Sequence, residues 1–115
     1  MQVVRTSGSE KVANSGALAA SLIASANPSR LYSVTGYNSS ASDQYIQVHD
    51  TTSVPANGAV PKLVLVAYAG TAFSFDFPTG RICATGITIC NSSTAATKTL
   101  GSADCLLDCE YRQIL

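Results

Sequence analysis

Four cysteines, at positions 83, 90, 105 and 109, and a single histidine, His49, are the side chains of this 115-residue chain best suited to metal or nucleophilic chemistry. Structural zinc takes four ligands in close pairs, yet there is no Cys-x-x-Cys and no second histidine. Cys105 and Cys109 would be near neighbours on a helix. Residues 104–112 instead alternate polar and apolar side chains, which predicts a strand, and there residues four apart are separated by about 13 Å. The spacing therefore argues against a metal centre. The thiols are expected to pack as small hydrophobes, with a disulfide between the last two strands chemically open. His49 adjoins Asp50, but neighbouring strand residues point to opposite faces, so the pair is badly placed for a triad and His49 is expected to face solvent at a strand end. Asp104 and Asp108 share a face at about 13 Å, too wide for paired-acid catalysis. No phosphate loop, nucleophile elbow or dinucleotide fingerprint occurs. The expectation is a protein that is not an enzyme, with no cofactor, no metal and no small-molecule ligand.

The elements that would position these residues are strands. Residues 1–16 carry no aromatic side chain and little apolar bulk, so they are expected to form a flexible arm ahead of one β domain over 17–115. Residues 17–26 suit a helix by their alanine content, or a strand that aligns Leu18, Leu22 and Ala24; the strand pattern downstream favours the latter. Residues 30–37 predict a mixed strand and 38–43 its turn. Residues 44–49 alternate, sending Ile46 and Val48 inward and Tyr45, Gln47 and His49 outward. Residues 50–61, with two prolines and Asn57-Gly58, form a loop. Residues 62–69 are apolar on both faces, which predicts a strand that is central or pressed against another subunit. Phe73, Phe75 and Phe77 share one face opposite Ser74 and Asp76. Pro78-Thr79-Gly80 predicts a turn, and 81–90 a long strand in which Gly86 permits a bulge or a close backbone approach. After a polar connection, 104–112 buries Cys105, Leu107, Cys109 and Tyr111. Strands at this spacing imply an all-β fold: a small antiparallel β-sandwich or jelly-roll-like domain.

Charged residues are only 12% of the chain, seven basic against seven acidic, while Ala, Ser, Thr and Gly supply 50 of the 115 residues. Without a basic excess, neither nucleic acid nor an anionic membrane is an expected partner. Apolar content of 46% excludes a disordered chain. So little charge suggests a surface partly hidden against other subunits, hence an assembly component and a homo-oligomer. The expected contacts are Val3, Val4, Arg5 and Val12 in the arm, with Val64, Val66 and Tyr68 on the two-faced strand. No apolar run is long enough to span a membrane, and Met1-Gln2-Val3-Val4-Arg5 shows no cationic stretch leading into an apolar block, so assembly in a cytoplasm is expected.

The stretch Arg30-Leu31-Tyr32-Ser33-Val34-Thr35-Gly36-Tyr37-Asn38, followed by Gln44-Tyr45-Ile46-Gln47-Val48-His49-Asp50 and Val54-Pro55-Ala56-Asn57-Gly58-Ala59-Val60-Pro61, resembles a group of small virion proteins of tailed bacteriophages. So do Phe73-Ser74-Phe75-Asp76-Phe77, Gly80-Arg81 and Ile87-Thr88-Ile89-Cys90-Asn91-Ser92-Ser93-Thr94-Ala95-Ala96-Thr97. These motifs are strand and turn patterns rather than chemical signatures, and together they span about residues 30–112. The resemblance implies a β-sandwich without catalysis that assembles on the particle, in the bacterial host cytoplasm, against the major capsid protein or other virion proteins. Its role there would be a capsid decoration (cement) protein; the alternatives are a neck or tail component, or a tail-tip module that binds a receptor or carbohydrate. A sugar site would need an aromatic platform, for which Tyr32, Tyr37 and Tyr45 are the candidates.

Overall fold

The computed structural model describes residues 10–114, which form eight strands and no helix. In chain order they are β1 (Glu10–Asn14), β2 (Ser21–Ser25), β3 (Ser29–Asn38), β4 (Gln44–His49), β5 (Leu63–Ala67), β6 (Ala72–Cys83), β7 (Ile87–Ser92) and β8 (Cys105–Gln113). Two four-stranded antiparallel sheets result, ordered β1-β8-β3-β6 and β2-β7-β4-β5. Strand β1 pairs with β8, β2 with β7, β3 with β6 and β4 with β5. The chain is thus one long hairpin with its tip between β4 and β5, rolled so that successive pairs fall alternately into the two sheets. That is jelly-roll connectivity.

The period-two pattern sets the core. Leu31, Val34, Leu107 and Cys109 from the first sheet meet Ile46, Val48, Ile87 and Ile89 from the second, all fully buried. Of the aromatic triplet, Phe73 is buried and Phe75 and Phe77 are half-buried, with Ser74 and Asp76 exposed on the other face. Phe73 and Phe75 stack with ring centroids 6.3 Å apart.

Four expectations change. Residues 10–14, placed by composition in a flexible arm, are strand β1 on the edge of β8, with Ala13 paired to Cys109; residues 1–9 lie outside the described residues. Pro78-Thr79-Gly80 does not reverse the chain. It lies within β6 as a bulge: on passing Tyr32 of β3, the partner residues jump from Arg81 to Asp76. Proline tolerates such a site because no ladder N–H is needed there, and Gly80 takes a positive φ of 77°. The expected long strand over 81–90 is two strands, because residues 84–86 carry the chain from one sheet to the other. Finally, β5 is an edge strand, which removes the central reading of its two apolar faces and leaves the reading of a strand pressed against another subunit; the strand buried on both faces is β7.

Candidate assembly surface and the polar clasp beside it

The two sheets present opposite kinds of outer face. On the first, the register directs Glu10, Arg30, Asp76, Asp108, Glu110 and Arg112 outward. On the second, the cross-strand rows Tyr45 with Ser92, Gln47 with Cys90, and His49 with Thr88 lie outward, flanked by Val64 and Val66 of β5 and Ile23 of β2. No strand residue of that face carries a formal charge.

The middle of this uncharged face is roofed by the chain's own loops. The β4–β5 and β7–β8 connections meet above it, where Gly58 N donates to Lys98 O at 2.7 Å and Lys98 N to Ala59 O at 2.8 Å. Asn57 Oδ1 accepts from Lys98 Nζ at 2.9 Å and from Leu100 N at 3.1 Å. Beneath the roof Gln47 is fully buried, and its Nε2 donates to Thr94 O, Ala95 O and Thr97 O at 2.9, 3.1 and 3.1 Å. That fixes the amide orientation and leaves Oε1 as an acceptor. His49 Nε2, 3.0 Å away, therefore carries the proton and donates to it. Gln47 and His49 do leave the core side of β4 as the alternation requires, but they enter a second, polar interior rather than solvent.

Chemically this cluster is a clasp. Burial, and after it the charge of Lys98, lowers the His49 pKa below the usual imidazole value and keeps the ring neutral. Burial raises the Cys90 pKa, against a smaller opposing pull from Lys98. The other thiols are raised by burial first and then by neighbouring carboxylates: Cys83 to about 11, Cys105 to about 11 and Cys109 to about 12. All four are free, buried and protonated at neutral pH, so none is an activated nucleophile. Among the described residues, no group of three or more His, Cys, Asp or Glu side chains is placed to hold a metal ion. Asp50 turns away from His49 and accepts from Ala84 N, Thr85 N and Gly86 N at 3.0, 2.8 and 3.1 Å, tying down the crossover between sheets.

The expected contact residues fall in separate places. Val64 and Val66, exposed at 38% and 37%, share the outer side of the β5 edge, and Tyr68, exposed at 63%, follows directly after the strand. Val12, 66% exposed, sits on β1 at the edge of the other sheet and is not brought to them. Val3, Val4 and Arg5 lie outside the described residues. The tyrosines named for a sugar platform are dispersed as well: Tyr32 is buried, Tyr37 belongs to the charged outer face and Tyr45 to the uncharged one. Sequence reasoning missed the clasp, whose only local signal is the pair of prolines around Asn57-Gly58 in a loop long enough to fold back.

No protein-family model matches the chain, and neither a curated protein nor a solved structure was found to match it.

Proposed function

We propose that the chain is a non-enzymatic structural protein of a tailed-bacteriophage virion, a capsid decoration (cement) protein that stabilises the head through subunit contacts. The supporting observation is the asymmetry of the sandwich. One outer face keeps an ordinary charged surface, while the other has no charged strand residue, is roofed in its middle by the chain's own loops and is left open along the apolar edge of β5. The part of that face left open beside the loop roof, the uncharged strip of Val64 and Val66, loses little solvation when covered, so burial against a shell costs little and gains apolar contact. The jelly roll suits this role because its paired sheets hold loops rigidly at both ends, and viral shells are among the settings where the architecture recurs. The clasp serves the same end, fixing two long loops without any reactive group.

The test is the stoichiometry of the chain in purified virions of the phage that encodes it, with heat challenge of heads that carry and lack it. Occupancy that scales with the shell lattice, together with earlier rupture of heads lacking the chain, is the expected result. A copy number matching one ring about the tail axis moves the chain to the neck or tail. Absence from particles overturns the proposal.

A further inference from the structure

We infer that two copies of this chain pair edge to edge through β5, antiparallel about a two-fold axis at Leu65, joining their second sheets into one continuous sheet. Such an edge presents unpaired backbone N–H and C=O groups, and proteins usually guard it with charge, proline or a bulge. Three edges here are guarded. Strand β1 carries Glu10 and Lys11, β2 has a register break between Ile23 and Ser25, and β6 holds Asp76, Arg81 and the Pro78 bulge. Strand β5, Leu-Val-Leu-Val-Ala, has none of these within it, and among the described residues its ladder partner is β4 alone.

The occupant follows from the strand's own register. Antiparallel pairing about Leu65 sets Leu65 against itself, Leu63 against Ala67, Val64 against Val66, and Lys62 against Tyr68. The large side chain of Leu63 thus meets the small Ala67 on the inner side. On the outer side two β-branched pairs form a row closed at each end by an ammonium against an exposed tyrosine ring. Lys62 directly precedes the strand, and this arrangement places it against a π face instead of against the other Lys62. An edge whose pairs all match its own copy is the isologous surface a two-fold dimer needs. The inference extends the assembly reading by naming the partner and the register.

Sedimentation across a concentration series tests it, with circular dichroism to confirm folding. The unaltered chain should show a concentration-dependent monomer–dimer equilibrium. V64K and V66K, both at exposed positions, should remain folded and raise the dimer dissociation constant by at least about tenfold. The double variant V64K/V66E should restore dimerisation, because this register sets each new cation against the other copy's new carboxylate. A chain that stays monomeric throughout, V64K that dimerises like the unaltered protein, or V64K/V66E that fails to recover overturns the inference. A dimer that is absent from virions defeats only the virion reading; a virion protein that never dimerises defeats only this one.

Discussion

Gln47 and His49, two residues apart on β4, share a buried hydrogen bond of 3.0 Å between Oε1 and Nε2 on the side of the strand away from the core. The bond needs a neutral imidazole that donates from Nε2, and it closes a network in which Gln47 already binds three carbonyls of the β7–β8 connection. Loss of either partner strands buried polar groups of the other, which typically costs about 1–3 kcal/mol.

Acidification should therefore loosen the clasp. Burial and the Lys98 charge hold the His49 pKa below its unfolded value, so the unfolded chain binds a proton that the folded chain refuses. Stability is full above the unfolded imidazole pKa of about 6.5 and falls as the pH drops below it, until the folded pKa is passed. Melting temperature measured from neutral to mildly acid pH should decline in this window, and His49→Gln should flatten that part of the curve while lowering the neutral value. A flat profile in the unaltered protein contradicts the assignment.

The crossover between sheets should depend on Asp50. Desolvation alone would raise its carboxyl pKa, but the amides of Thr85, Gly86 and Ala84 together with Lys62 outweigh that and bring it below the usual value. Asp50→Ala removes the acceptor from three N–H groups and should cost about 2 kcal/mol in denaturant unfolding. The carboxylate's contribution is complete above its unfolded pKa and is lost as the pH falls through the lower folded value. The melting curves of Asp50→Ala and the unaltered chain should therefore converge only in strong acid.

Gly86 should tolerate no side chain. A Cβ there would lie 2.6 Å from Ser25 O and 2.7 Å from Thr51 O, both backbone atoms, so the crossover itself would have to shift. Gly86→Ala should cost about 1–3 kcal/mol by overpacking. Gly58→Ala, in open space but at φ 94°, meets no neighbour and tests backbone strain by itself. Equal melting shifts for the two would show that close approach is not what Gly86 provides.

Residues whose fate depends on near neighbours were legible in the sequence. The alternation over 44–49 and 104–112 places Ile46, Val48, Leu107 and Cys109 correctly, because a half-buried strand writes its buried face into every second residue. Gly86 was legible too, as a glycine inside a β-branched run. What the sequence concealed depends on distant partners. Gln47 and His49 look solvent-facing because the roof over them comes from residues some fifty positions away. Pro78 and Gly80 look like a turn because a bulge uses the same residue types, and only the partner strand reveals that the ladder resumes. Strand β1 is the strongest case: Glu10 and Lys11 suit a solvated arm equally well, and it is the ladder to β8, a hundred residues on, that makes them an edge.

Truncation tests that last difference directly. If residues 10–14 belonged to a dispensable arm, removing 1–14 would leave the melting temperature unchanged. As β1 they pair with β8 from Glu10 opposite Arg112 to Asn14 opposite Asp108, and Asn14 Nδ2 adds a 2.7 Å bond to Asp108 Oδ2. Their loss strips a ladder at about 1 kcal/mol per hydrogen bond, so truncation should cost on the order of 2–4 kcal/mol. It also opens the edge of β8 beside Cys109, which in the intact protein is fully buried and has its pKa raised to about 12. The truncated chain should then react faster with a thiol reagent at Cys109, identified by mass spectrometry, and should aggregate more readily through the newly opened edge. Val12→Lys serves as the control: at 66% exposure it should shift stability by less than about 0.5 kcal/mol. Unchanged melting together with an unreactive Cys109 after truncation would return residues 10–14 to the status of a tail.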